Sequence, residues 1–263
     1  MPWVQCIDSL PRSARLAIDE DLVCGRFVRR VNRFVAEVEI LGEIEAVHLA
    51  NSGRLSQLLI PGNWVGLADR PSPTRRTSRD LVLAALLGES CSRWILVDSR
   101  LPVEVVWQSL RDGDLPEFCR LREVRREVPA GRSRFDFQLT DEEGGELCWM
   151  EVKSVTLAVS TPSGIEARFP DAPTERGVRH LRDLTALVRR GDRCAVAFAV
   201  CHPGAVSVAA HPEVDPGFAR ALWDAAMAGV EVYAYRILSD PRSGSWLEGR
   251  LPVRMEESCR NYT

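Results

Sequence analysis

A chain of 263 residues that is 45% apolar and 27% charged can bury a substantial core, is too apolar to be disordered, and is long enough for one large domain or two small ones. No apolar run approaches the roughly 18 residues that cross a bilayer, and the opening Met1-Pro2-Trp3-Val4-Gln5-Cys6-Ile7-Asp8 lacks the basic-then-apolar pattern of a secretory signal. The net charge of −3 gives no global basic signature for nucleic acid, and the expectation is a cytoplasmic protein without membrane segments.

The first 20 residues form a lead-in with Pro2 and Pro11 and no sustained period. From Leu22 the pattern turns to β, with short runs at Leu22–Val28, Arg33–Ile40 and Ile44–Leu49 separated by turn residues Asn32 and Gly42. In the second run Phe34, Ala36, Val38 and Ile40 alternate with Arg33, Val35, Glu37 and Glu39, which predicts a half-buried strand. The polar loop Asn51-Ser52-Gly53-Arg54 follows, then a short apolar run to Pro61-Gly62 and another strand at Asn63–Leu67. Short strands so close together predict a small barrel, ending in the loop that carries Arg70, Arg75, Arg76 and Arg79.

Leu81–Gly88 reads equally as strand or short helix, and Trp94–Val97 as a strand. Pro102–Leu110 reads as a helix opened by proline, with Gly113 beyond its end. A second arginine cluster, Arg120, Arg122, Arg125 and Arg126, leads to Glu127-Val128 and the turn Pro129-Ala130-Gly131.

Two β-like runs then flank the turn signal Glu143-Gly144-Gly145: Ser133–Thr140 with Asp136, and Leu147–Val155 with Glu151 and Lys153. Lys153 is the only lysine of the chain. A sequence that otherwise writes its cations as arginine keeps a lysine where a compact ammonium, not a wide planar fork, is needed. Glu151 and Lys153 leave one face of their strand. A hairpin loop of two or four residues sets Asp136 opposite one of them, whereas a three-residue loop breaks the arrangement. Two carboxylates so placed repel unless one is protonated or a cation lies between them. Mg²⁺ or Mn²⁺ suits such an oxygen-only pair, with Lys153 beside it to stabilise a developing phosphate charge. The same spacing also fits an ordinary hairpin with solvated charges.

Phe169–Gly177 opens a helix with Thr174 as its cap, and Val178, Leu181, Leu184, Thr185 and Val188 form the apolar stripe. Cys194–Cys201 is a buried strand, Pro216–Ala228 a second helix and Val230–Ile237 a further strand, so the C-terminal part is α/β with a right-handed parallel crossover. The 8 cysteines lack C-x-x-C spacing and the 4 histidines lack zinc-ligand spacing, so the cysteines are expected as small buried hydrophobes.

Asp136 within Ser133-Arg134-Phe135-Asp136-Phe137, the run Glu151-Val152-Lys153-Ser154-Val155-Thr156-Leu157, Phe169-Pro170-Asp171-Ala172 with Thr174-Glu175-Arg176-Gly177, and His180-Leu181-Arg182 together resemble the sugar fermentation stimulation protein family from about Leu22 to Arg236. The resemblance implies an OB-like barrel over 1–80 followed by a PD-(D/E)xK restriction-endonuclease-like α/β domain over 81–263. It also implies DNA binding, the property behind the family's reading as a regulator of sugar metabolism. The loop Ala50-Asn51-Ser52-Gly53-Arg54-Leu55 stands where the family has a Pro-Asn-Thr-Gly-Ser-Met type of sequence; Asp136, Glu151 and Lys153 are intact.

The expected function is therefore a divalent-metal-dependent nuclease. Asp136 and Glu151 hold the metal, Lys153 assists, and Glu127 or Glu175 is an additional ligand or organiser. Nucleic acid, DNA first and RNA second, is expected against Arg29, Arg30, Arg33, Arg75, Arg76, Arg79, Arg134, Arg176 and Arg179. Phe27, Phe34 and Trp64 are either stacking platforms or core. A DNA-binding regulator that uses the nuclease fold as scaffold is the alternative, as is an RNA-binding or RNA-processing protein, and a homodimer stays open.

Overall fold

The structure, a computed structural model, describes Leu16 and residues 22–71, 74–86, 93–142 and 147–255. The turn Glu143-Gly144-Gly145 and the lead-in other than Leu16 lie outside the described residues. Five strands make the N-terminal barrel: β1 (Val23–Asn32), β2 (Val35–Ile40), β3 (Glu43–His48), β4 (Trp64–Asp69) and β5 (Arg79–Ala85). They run in the order β3-β2-β1-β4-β5, and a parallel bridge from His48 on β3 to Asp80 on β5 closes the ring. The period-two pattern of β2 sets its inner face, with Ala36, Val38 and Ile40 buried against Phe27, Val47 and Val65. Phe34 shares their parity, yet it is 47% exposed. The chain is still turning there, because the Asn32 side chain accepts the Phe34 N–H at 2.8 Å, and β2 begins one residue later.

The ambiguous run after Asp80 is a strand. β5 hydrogen-bonds β4 on one side and β6 (Trp94–Leu96) on the other, and Leu81, Val82, Leu83 and Ala84 are all buried, as in a strand covered on both faces. Through β6 the sheet passes without a break into the second domain. Its order continues β6-β14-β12-β9-β8-β7, made of β7 (Leu121–Ala130), β8 (Ser133–Asp141), β9 (Leu147–Val155), β12 (Arg193–Val200) and β14 (Glu231–Asp240). Strands β9, β12 and β14 are parallel, and β7–β8–β9 form an antiparallel edge.

Helix α1 (Leu101–Asp112) covers one face of this sheet. As its sequence predicts, it has proline in the first turn, and Gly113 ends it in the left-handed conformation at φ 74°. Helices α2 (Glu175–Val188) and α3 (Pro216–Met227) cover the other face over a second core centred on Phe198, Phe218 and Leu181. Thr174 caps α2 by accepting the Gly177 N–H at 3.0 Å. Asp215 caps α3 through Phe218 N–H and also accepts the Thr174 N–H at 2.8 Å, which ties the two helix starts together.

A four-stranded sheet, β10 (Ala158–Thr161), β11 (Gly164–Phe169), β13 (Ala205–Ala210) and β16 (Val253–Arg254), and the hairpin partner β15 (Gly244–Arg250) of β14 complete the fold. Where barrel and α/β domain meet, the buried carboxylates Asp80 and Asp98 share the Arg100 guanidinium at 2.6 and 2.5 Å, and Arg75 donates to Asp80 at 2.5 Å. Two carboxylates this deep are tolerated because each is matched by a cation and hydrogen-bonded. No helix among the described residues is long and apolar enough to cross a membrane.

Candidate active site in the cleft between the two domains

A cleft of about 870 Å³ separates the barrel from the α/β domain. One wall is the barrel rim, with Arg33, Phe34, His48 and the loop 50–53; the other is the segment 168–176 that leads into α2. Asp136, Glu151 and Lys153 line the same cleft. The pairing of β8 with β9 runs Thr140–Leu147, Leu139–Cys148, Gln138–Trp149 and Phe137–Met150, so the next step of that register sets Asp136 opposite Glu151. The ladder stops there. Val152 N–H donates at 2.7 Å to the Asp136 carboxylate Oδ2. On the other side of β8, the pairing with β7 omits the position of Glu127, which lies opposite Asp136 with a left-handed φ of 52°. The strand turns over at this point: Phe137 packs in the core under α1, while Phe135, two residues earlier, packs on Trp149 and His180 under α2. Asp136 is thus held at an interruption of both ladders, where a side chain can serve the cleft.

Glu151 is 4% exposed and Lys153 9% exposed. The Lys153 ammonium donates to Glu151 Oε1 at 2.5 Å, and His180 Nδ1 meets the same oxygen at 2.5 Å. Arg176, one turn earlier on α2, donates to His180 Nε2 at 3.3 Å; that nitrogen is then an acceptor, so the ring proton is on Nδ1 and goes to Glu151. With Oε1 doubly engaged, Glu151 Oε2 is buried and has no hydrogen-bond partner among the described residues.

The two carboxyls are pushed apart electrostatically. Burial, with the charge of Glu151 next, raises Asp136 to about 7. Burial would raise Glu151 too, but the Lys153 ammonium and the His180 hydrogen bond outweigh it and hold that group below its ordinary value. A carboxyl raised to about 7 beside one held ionised with a free oxygen is a pair whose second charge a hard divalent ion would stabilise, the ion taking the place of the proton.

The other candidate residues fall into separate groups. Arg33 and Arg176 line the cleft, and Glu175 stands exposed on its rim at the first residue of α2. Glu127 is exposed beside Asp136, whose pKa it also raises. Arg30 donates to five main-chain carbonyls, those of Asn32, Arg33, Asn51, Gly53 and Arg54, and so holds the loop 51–54 in place. Arg29 pairs with Glu37, Arg75 with Asp80, and Arg79 with Glu45 and Asp69. Arg76, Arg134 and Arg179 are exposed. Phe27 belongs to the barrel core, and the Trp64 ring carries the Arg26 guanidinium at 3.5 Å. His180, part of the run His180-Leu181-Arg182, has no metal-ligand spacing in the sequence, and its contact with Glu151 is legible only in the fold.

The loop 51–54 also approaches the opposite wall. A Cβ at Gly53 would lie 2.4 Å from both Asp171 carboxylate oxygens, and Asp171 Oδ2 accepts the Leu55 N–H at 3.2 Å. Gly53→Ala is expected to push Asp171 aside and lose that hydrogen bond, destabilising the protein by about 1 kcal/mol; a chemical-denaturation midpoint equal to the parent's would show the approach to be looser.

A five-stranded OB barrel continuous with a mixed α/β domain, with Asp, Glu and Lys on the floor between them, defines a two-module class of protein. Residues 28–97 match the family model described as the SfsA N-terminal OB domain, and residues 100–243 the one described as the sugar fermentation stimulation protein RE domain. The chain belongs to the sugar fermentation stimulation protein family. It is 41% identical over 224 residues to the sugar fermentation stimulation protein homolog of Alkaliphilus metalliredigens, covering 85% of this chain and 93% of that one. It is 43% identical over 222 residues to the homolog of Moorella thermoacetica, covering 84% and 92%. Among solved structures it is similar to Pyrococcus furiosus SfsA in complex with Ca²⁺, with a TM-score of 0.81 and 29% identity over 93% of this chain and 99% of that one.

Proposed function

We propose that the protein hydrolyses phosphodiester bonds of nucleic acid in a divalent-metal-dependent reaction at Asp136, Glu151 and Lys153. The observation that carries this reading is the buried, unpartnered Glu151 Oε2 in the same cleft as the Asp136 carboxyl, next to it across the β8–β9 pairing. A Mg²⁺ or Mn²⁺ ion held by these two carboxylates would supply Lewis-acid polarisation of the phosphate and activation of water. His180 and Lys153 fix Glu151 through one oxygen and leave the other free. Lys153, compact and anchored at 2.5 Å to that carboxylate, places a positive charge where negative charge develops on the phosphate. The Ca²⁺ in the description of the Pyrococcus furiosus relative is a hard, oxygen-seeking ion of the kind this pair would take.

The scaffold reading, a DNA binder without chemistry, needs free cations over a broad surface. Arg29, Arg30, Arg75 and Arg79 are instead engaged within the protein, while the buried lysine is retained. Labelled single- and double-stranded DNA and RNA incubated with the purified chain and Mg²⁺, Mn²⁺ or EDTA test the proposal. Cleavage is expected with either metal and none in EDTA. Intact strands under every condition would leave the scaffold reading standing.

A further inference from the structure

We propose that the cleft takes an unpaired nucleic-acid strand, with a base stacked on Phe34 at the barrel rim and a neighbouring phosphate lowered to the floor at Asp136, Glu151 and Lys153. This deepens the hydrolysis reading and rests on it for the identity of the reacting group.

The floor groups are recessed: Glu151 is 4% and Lys153 9% exposed, between a barrel wall and the wall formed by 168–176. A duplex holds its phosphates on a stiff cylinder with a persistence length of about 50 nm, so its backbone reaches only groups that project to a surface. An unpaired strand can bend into a walled cleft, and it offers bare base faces that a duplex keeps stacked. The barrel supplies one platform for such a face. Among the described residues, Phe34 is the only phenylalanine, tyrosine or tryptophan of the barrel that lines the cleft, with His48 as a second, smaller ring whose Nδ1 is engaged with the Phe34 carbonyl. It is 47% exposed despite sharing the parity of the buried face of β2, and Asn32 holds its backbone in that outward turn. Phe27 is buried and Trp64 lies outside the cleft, so neither can meet a strand there. The Arg33 guanidinium lies 5.5 Å from the Phe34 ring centroid, near enough to pair with a phosphate beside a base stacked on the ring's other face. The exposed Arg33 and Arg176 stand on opposite walls, where a strand descending from Phe34 would pass between two cations. Stacking of this kind is sequence-tolerant, because every base has a π-face.

The test measures binding by fluorescence anisotropy in Ca²⁺ and, separately, cleavage in Mg²⁺ and Mn²⁺. The probes are a fluorescein-labelled single strand, made as DNA and as RNA, the blunt duplex of the same sequence, and that duplex with an unpaired tail. The single strand and the tailed duplex are expected to bind at least about tenfold tighter than the blunt duplex. Phe34→Ala should weaken them by about fivefold to a hundredfold, the range of one base–aromatic stack, and Phe34→Trp should restore the loss. A preference of the DNA over the RNA strand, or the reverse, identifies the source of the strand. Equal affinity for blunt duplex and single strand, or a Phe34→Ala variant that binds as the parent does, overturns the proposal. Because Phe34 is a surface side chain, an unchanged melting temperature confirms that the variant is folded. Phe34-dependent binding of strands that are never cut would sink the hydrolysis reading alone. Cleavage of blunt duplex as fast as single strand, by parent and Phe34→Ala alike, would sink the single-strand proposal alone.

Discussion

Lys153→Arg is expected to lower the rate of metal-dependent cleavage by about 10²- to 10³-fold, the usual cost of losing a positioned electrostatic stabiliser, while strand affinity hardly changes. The charge is kept; its position is not. Lys153 is 9% exposed, and its ammonium sits 2.5 Å from a Glu151 oxygen that His180 also uses, so the site has been shaped around one compact donor. A guanidinium is broader and planar, tends to pair with both oxygens of a carboxylate, and would reach toward Oε2, the oxygen that has no partner. An unchanged melting temperature shows that the variant is folded, and single-turnover kinetics read the effect. If Lys153→Arg cleaves as fast as the parent, the lysine is only a counter-charge for Glu151 and the catalytic assignment falls.

The second large effect is thermodynamic. The Asp136 carboxyl is raised from 3.8 to about 7 by burial and by Glu151, so the folded state keeps a proton that the unfolded chain has already released. Between those two values the native protein binds more protons than the unfolded one, and its stability falls as pH rises. The contribution is fully present below 3.8 and lost by about 7, an upper figure on the order of 4 kcal/mol. Asp136→Asn keeps an oxygen to accept the Val152 N–H but cannot ionise. The metal-free variant should therefore melt several degrees above the parent near pH 8 and close to it near pH 4. Adding Mn²⁺ near pH 8 should raise the melting temperature of the parent and not of the variant, since the ion binds the folded pair only when both charges are present. Parallel pH profiles for the two proteins would show that Asp136 is not held in its neutral form.

Much of this could be read from the chain because the signals are local. The isolated lysine, the spacing of Glu151 and Lys153, the alternation of β2, and Thr174 as a cap each follow from a few adjacent residues. What the sequence hid is non-local. Arg30 looks like a phosphate ligand until the carbonyls of Asn51, Gly53 and Arg54, from a loop more than 20 positions away, are found around it. Phe34 follows the period of a buried face, and only the side-chain turn at Asn32 brings it outward. The strands β10 and β13 are short and rich in small residues, β16 is only Val253–Arg254, and β11 pairs in parallel with β13, some 40 positions away in the register Phe169–Ala210. Strand parity left Asp136 opposite either Glu151 or Lys153, of which the register of β8 and β9 selects Glu151, and it carried no hint that the ladders on both sides of Asp136 would break.

The unbroken hydrogen-bonded path from β5 through β6 to β14 has a mechanical meaning. Two modules joined by a linker can move like jaws, with the gap between them set by the tether. Here the backbone ladder itself is the bridge, reinforced by Arg100 clasping Asp80 and Asp98, so a jaw-like movement of the modules would have to bend or break paired strands. Cutting the chain between the modules would not release two independent parts, since each half would carry a raw β-edge into solvent and tend to aggregate through it. On the proposed hydrolysis reading, a gap framed in this way would sort strands by whether they can enter it.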